Sequence, residues 1–164
     1  VVRELILGLK FGGRSALAHP LSRLVLFGAR RALGGIDADC VVAVPLHPAR
    51  LRRRGYNQAE LLAEPVARAL ERPYIKGVVQ RTRNTRPQGT GGGGSREENV
   101  RGAFGPVRRG IKSLSRGEAP ATALRGAHAL LVDDVLSTGA TVDQCARVLT
   151  AAGASAVTVA VAAT

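Results

Sequence analysis

The sequence predicts an α/β fold, a mainly parallel twisted sheet flanked by helices. Three observations predict it. Short β-branched apolar runs at 40–46 and 155–162 alternate with segments of helical periodicity. A further apolar run, Ala129 to Val132, ends in two adjacent carboxylates, Asp133 and Asp134. A loop of small and hydroxyl residues and then a helix follow, which is the order found where open α/β sheets bind ligands at the carboxyl ends of their strands.

Taken in order, residues 1–10 place Val1, Val2, Leu5, Ile6 and Leu9 on one helical face, and Phe11-Gly12-Gly13 breaks that helix. A second helix is expected from about Ser15 to Leu33, with Leu17, Leu21, Leu24 and Val25 on its apolar side. Pro20 is tolerated near its start, and Gly34-Gly35 ends it. Cys40 to Leu46 reads as a buried strand, followed by a polar, arginine-rich loop. Asn57 opens a third helix through about Leu70, with Glu60 at capping-box spacing and Pro65 implying a kink or a broken first half. Residues 74–80 and Val100 to Phe104 read as strands. Residues 82–99 lack periodicity and read as a mobile loop; Gly91 to Ser95 within it has flexible-linker composition, natural or engineered. Residues 105–126 are again rich in Gly, Ser, Pro and Arg. The last unit is a strand at 128–133, a helix from about Thr141 to Ala152 capped by Gly153, and a strand from Ser155 to Ala162 with Val157, Val159 and Val161 on one face.

With 164 residues and 45% hydrophobic content, the chain is expected to form a single domain over 1–164, with 1–35 as a helical N-terminal segment. No apolar run approaches the roughly 20 residues that span a bilayer. Arg3, Glu4 and Lys10 interrupt any signal-peptide pattern, so a cytoplasmic location without membrane insertion is expected. The chain starts at Val1 and contains no Met, so a preceding portion is expected. Cys40 and Cys145 lack metal-ligand spacing and read as buried small hydrophobes. The 24 Lys and Arg exceed the 12 Asp and Glu, giving +12, which favours anionic partners such as phosphorylated metabolites or nucleic acid. Aromatic content of 3% leaves little for bases to stack on. GC-rich codon bias also enriches Arg, Ala and Gly, so charge alone does not assign the partner.

Carboxylates at a strand end are costly unless cations or hydrogen bonds meet them. Ser137, Thr138, Gly139, Ala140 and Thr141 supply a complementary group. They are small, Gly139 permits a tight turn, and the N–H groups at the helix start suit a phosphate. Thr141 is the expected N-cap, with Ser137 and Thr138 as competitors. Acids beside an anion cradle suit a ligand whose hydroxyls, or hydroxyl-bound Mg²⁺, adjoin a terminal phosphate, and a sugar phosphate has that form. A Walker B strand presents acids similarly, but needs a G-x-x-x-x-G-K-[ST] partner; Lys10, Lys76 and Lys112 all lack that context.

Leu130 to Thr141 resembles the phosphoribosyl pyrophosphate signature of type I phosphoribosyltransferases. Three further segments resemble the ComF (competence protein F) branch. They are Val44-Pro45-Leu46-His47-Pro48 with the arginines after it and Gly55-Tyr56-Asn57-Gln58; Arg81 to Gln88, with Arg83, Thr85 and Gln88; and Asn99-Val100-Arg101-Gly102-Ala103-Phe104. Leu9-Lys10-Phe11-x-Gly also fits. The resemblance implies a type I phosphoribosyltransferase fold that binds phosphoribosyl pyrophosphate with Mg²⁺. It implies that Asp133 and Asp134 contact the ribose hydroxyls, directly or through Mg²⁺. Val135 and Leu136 continue the binding segment, and Ser137, Thr138, Gly139, Ala140 and Thr141 would cradle the 5′-phosphate. Leu46, His47 and Arg52 would belong to the pyrophosphate loop, and Arg81, Arg83, Arg86 and Gln88 to a flexible loop that closes over the site. Family members commonly carry a cysteine-rich zinc-binding segment at the N-terminus, which this sequence does not contain, and the flexible loop here is unusually rich in glycine.

The reaction implied is transfer of the phosphoribosyl group to a nitrogen acceptor, which the sequence does not specify, with release of pyrophosphate. A rival reading from another class is an accessory of DNA uptake and natural transformation that binds single-stranded DNA through its arginine-rich surface and uses the ligand site for regulation. A transcription regulator sensing the same ligand ranks last, because no helix-turn-helix pattern is evident. DNA-uptake proteins and a second copy, in a homodimer, are further partner expectations. Arg50, Arg52, Arg53 and Arg54 read either as a solvated basic loop or as a source of at least one phosphate contact. His47 divides evenly between a loop and a functional role. His19 and His128 read as structural or exposed, and Tyr56 as packing.

Overall fold

Alternating side chains on three parallel strands give this protein a two-faced sheet, and each face is covered differently. The computed structural model describes residues 1–34, 37–83, 102–107 and 124–164. Within them α1 (Val2–Phe11), a 3₁₀ turn (Ser15–Leu17) and α2 (Ala18–Leu33) precede β1 (Cys40–Ala43), α3 (Pro48–Arg54) and α4 (Gln58–Ala69). Then come β2 (Val79–Arg81), β3 (Phe104–Pro106), β4 (His128–Val135), α5 (Ala140–Ala151) and β5 (Ala156–Ala163). The main sheet runs β1-β4-β5, all parallel, and β2 pairs antiparallel with β3 in a separate ribbon.

Period-two alternation sorts the core. Cys40, Val42, Ala129 and Leu131 point to the side where Val142, Cys145 and Leu149 of α5 pack with Val79 and Phe104 of the ribbon. Val41, Leu130 and Val132 point to the opposite side, against Leu9 of α1, Leu21 and Val25 of α2, and Leu62 and Val66 of α4. The β4 segment from Ala129 to Val132 is wholly buried, which is why it reads as a continuous apolar run.

Several expectations change at the level of elements. The arginine-rich loop after β1 is a helix, α3. Pro48 occupies its first turn, the His47 side chain accepts the Ala49 N–H (3.1 Å), and Gly55, at φ 86°, ends it. β1 stops at Ala43, although Val44 N–H still bonds the Val132 carbonyl (2.9 Å) before Pro45 removes a donor. The run at 74–80 yields only β2 and a single bridge from Tyr74 to Val41. The strand expected from Val100 begins at Phe104, and residues 100 and 101 lie outside the described residues. Residues 15–17 form a 3₁₀ turn before α2, where Leu24 is exposed (41%) and Ala18, Ser22 and Ala29 are buried instead. α4 is continuous through Pro65. Gly35, the linker-like Gly91 to Ser95, and residues 84–101 and 108–123 of the two loops lie outside the described residues. Both cysteines are free and buried, as read from their spacing.

Candidate ligand site

β4 delivers Asp133 and Asp134 to the carboxyl edge of the sheet, and alternation aims them at different neighbours. Asp133 shares the side of Leu131, toward Arg81 and Cys145, whose ionisation it influences. Asp134 shares the side of Leu130 and Val132, toward α1, where its Oδ1 pairs with Lys10 Nζ at 3.1 Å. The Asp134 N–H donates to Asp133 Oδ1 (2.8 Å). Asp134 Oδ2 is buried and has no hydrogen-bond partner among the described residues. Burial, and then the Asp134 charge, push the Asp133 carboxyl up to about 7, against the opposing pull of the Asp134 N–H and Lys10.

The loop after β4 turns at Gly139, whose φ of 78° is left-handed and which serves as the N-cap of α5. Thr141, the expected cap, sits inside the first turn. No side chain among the described residues caps this helix, and N–H groups at a helix start suit an anion. Ser137 and Thr141 line the same cavity as Asp133 and Asp134, a space of about 440 Å³.

Much of the rest of the lining forms a cationic wall. Arg50, Arg53 and Arg54 on α3, Lys10 on α1 and Arg81 on β2 all line the cavity. Four guanidiniums on the seven residues of α3 crowd one another. Burial, then Arg54 and Arg53, lower the pKa of Arg50, and burial, then Arg50, lower that of Arg81. Arg54 lies over the exposed Phe11 ring, 5.7 Å from its centroid, and also donates to Gln58 Oε1. Asn57 fixes the start of α4 behind this wall. Its Oδ1 accepts the Ala59 N–H (3.1 Å), and its Nδ2 donates to the Val44 carbonyl (3.0 Å) and Glu60 Oε1 (3.3 Å). The capping-box spacing is therefore used through the Asn57 amide. Such a cavity, lined by acids, the start of a helix and arginines, suits a polyanion carrying hydroxyls.

The model of the phosphoribosyl transferase domain matches residues 57–164. The chain belongs to this family. It is 40% identical over 158 residues to DNA utilization protein YhgH of Escherichia coli strain K12, covering 94% of this chain and 63% of that protein. It is 30% identical over 148 residues to Competence protein F of Haemophilus influenzae, covering 88% and 60%. These relatives place it in the ComF branch. The chain thus spans less than two thirds of the length of the curated relatives it matches. A glutamine phosphoribosylpyrophosphate amidotransferase from B. subtilis, solved with ADP and GMP, aligns with a TM-score of 0.53 at 19% identity over 89% of this chain and 26% of that one. An allosteric regulatory enzyme of purine biosynthesis aligns with a TM-score of 0.52 at 20% identity over 89% and 26%. The fold is that of the type I phosphoribosyltransferases.

Within this ComF domain the structure brings Leu46, Arg81, Asp133, Asp134, Val135, Ser137 and Thr141 to one cavity. Leu136, Thr138, Gly139 and Ala140 shape the loop without lining that space; the Leu136 N–H bonds the Ala163 carbonyl (2.9 Å). The His47 side chain caps α3, and Arg52 is exposed and does not line the cavity, where Arg50, Arg53 and Arg54 of the same helix stand instead. Arg83 is exposed and lies outside the lining, and Arg86 and Gln88 lie outside the described residues. His128 Nε2 meets Thr158 Oγ1 (2.8 Å), a structural contact. Tyr56 packs and donates its hydroxyl to the Leu9 carbonyl. Lys10 was given no role by sequence. Its only signal was membership of the Leu9-Lys10-Phe11 segment, because its partner lies 124 positions away, from 10 to 134.

Among the described residues no cluster of three or more His, Cys, Asp or Glu could hold a metal ion. A hard cation here would take one or two carboxylate oxygens and complete its shell from ligand and water, which is the habit of Mg²⁺. Asp134 Oδ2, without a hydrogen-bond partner among the described residues, fits that donor set. No helix among the described residues is long and apolar enough to cross a membrane.

Proposed function

We propose that this ComF domain is the ligand-sensing part of a protein of DNA utilisation. Its cavity takes phosphoribosyl pyrophosphate with Mg²⁺, its basic surface meets single-stranded DNA, and the first site regulates the second. The observation that carries the ligand is the convergence of Asp133, Asp134, the uncapped start of α5 and the α3 arginines on one cavity. Asp133 and Asp134 accept from the ribose hydroxyls or meet Mg²⁺, the α5 amides hold the 5′-phosphate, and Arg50, Arg53 and Arg81 face the diphosphate. Bound Mg²⁺ would neutralise the diphosphate charge. The names of the relatives, DNA utilization protein and Competence protein F, support the DNA role. So does the charge of +12.

Calorimetry with phosphoribosyl pyrophosphate and Mg²⁺ tests the site. The Asp133→Asn/Asp134→Asn protein is expected to lose binding while keeping its fold, and unchanged affinity rejects the assignment. Anisotropy with a labelled single strand tests the second half. Affinity is expected to fall steeply with salt, because phosphate contacts release counterions. Salt-independent or absent binding excludes it.

Arg81 and Arg50, which line the same cavity as the acids, support a second reading, turnover. The anomeric C–O bond would break, pyrophosphate would leave with the bonding pair, a nitrogen acceptor would form the new C–N bond, and its proton would pass to solvent. The side chains would contribute orientation and charge stabilisation on the leaving group. Pyrophosphate release with a panel of bases and amines distinguishes turnover from binding alone.

A further inference from the structure

Lys10 reaches the acid pair from α1, outside the segment that matches the phosphoribosyl transferase domain. Its place is well fixed. Leu9 is fully buried, the Leu9 carbonyl accepts the Tyr56 hydroxyl, and the Gly12 N–H closes the helix on the Gly8 carbonyl (2.9 Å). A cation in the last helical turn also suits the helix dipole. From there Nζ stands 3.1 Å from Asp134 Oδ1, on a carboxylate that is almost wholly buried and whose other oxygen has no hydrogen-bond partner among the described residues.

We propose that Lys10 is a positioning residue that makes divalent-cation binding at Asp133 and Asp134 conditional on an anion in the cavity. The proposal rests on the ligand reading above and adds its regulation. A divalent cation arriving alone must either displace the ammonium from Asp134, leaving it against the arginine wall, or share a buried carboxylate with it. Both are unfavourable at low dielectric. A diphosphate in the cavity changes this by offering Lys10 another partner, which frees Asp134 for the metal. The coupling is reciprocal, so the metal strengthens anion binding by the same factor. Without Lys10 the acids would take up divalent cations regardless of ligand.

Mn²⁺ is the probe, with free ion read by electron paramagnetic resonance during titration of the full chain, with and without phosphoribosyl pyrophosphate. Lys10→Met is expected to bind Mn²⁺ alone at least about tenfold more tightly than the parent, and its gain from the anion is expected to shrink in proportion. Lys10→Arg, which keeps the pairing charge, is expected to stay near the parent. Arg52→Met removes an equal charge from the short helix α3, at a residue that does not line the cavity. It is expected to change Mn²⁺ affinity by less than about threefold. Equal Mn²⁺ affinity in the parent and Lys10→Met, including no binding by either, overturns the proposal. An equal shift in Arg52→Met also overturns it, reducing Lys10 to one charge among several. Thermal melts accompany each variant, and Lys10→Gln substitutes if Lys10→Met does not fold. If the parent binds no phosphoribosyl pyrophosphate in the presence of Mn²⁺, the ligand reading fails, while the titrations with Mn²⁺ alone still decide the role of Lys10.

Discussion

Asp133 and Asp134 are chemically identical and adjacent, yet the pleat gives them different tasks. Asp134 meets a cation, and Asp133 meets burial and its neighbour's charge. The Asp133 carboxyl therefore moves from its usual 3.8 up to about 7. Between those values the folded chain holds a proton that the unfolded chain has lost, so stability falls as pH rises through that window. Asp133→Asn cannot ionise. Its melting temperature is expected to change less than the parent's between about pH 5 and about pH 8 and to exceed it at the upper value. Melts at both pH values check this, and parallel behaviour of the two proteins would contradict it. The acids themselves were legible in the sequence because two carboxylates after a buried run are costly without a purpose. The difference between them was not, because it depends on which helix covers each face.

At the scale of elements, caps decide where the site is built. Asn57 holds the start of α4 and ties it to the Val44 carbonyl beside the cavity. Asn57→Ala is expected to cost about 1–2 kcal/mol for the cap. A further ~1 kcal/mol comes from the buried carbonyl left unsatisfied. Urea unfolding should show a lower midpoint with an unchanged slope. Gly139 is the counterpart at α5. A Cβ there meets nothing within 4 Å, so Gly139→Ala tests backbone strain alone. The expected loss is about 1–2 kcal/mol. Weaker binding of the phosphoribosyl ligand should accompany it in calorimetry, since the amides behind the turn shift. Asn57 was readable as a cap from its spacing to Glu60. α3 was not readable as a helix, because seven residues dominated by arginine carry no apolar period, and its order comes from Pro48, the His47 cap and Gly55.

At the scale of the whole molecule, both faces of β4 carry the core, and the cavity stands at its edge. Leu131 is fully buried between β1 and α5. Leu131→Ala is expected to cost about 2–5 kcal/mol in chemical denaturation. The loss should follow from the cavity left behind, with a cooperative transition retained. Helices α1 and α2, which the family match does not include, pack on the other face and bring Lys10 to the acids, so the cavity is lined by the two parts jointly.

The sequence by itself determined the α/β class, the buried strand with its terminal acids, the small-residue turn and the family signature. Each of these is a local pattern of apolar period, charge and glycine, and local patterns survive in one dimension. Only the tertiary structure decided that Arg53 and Arg54, and not Arg52, line the cavity of the acids, that His47 serves as a cap, and that Lys10 holds Asp134. Those assignments depend on the rotation of a short helix and on contacts between residues far apart in the chain, which no local spacing encodes.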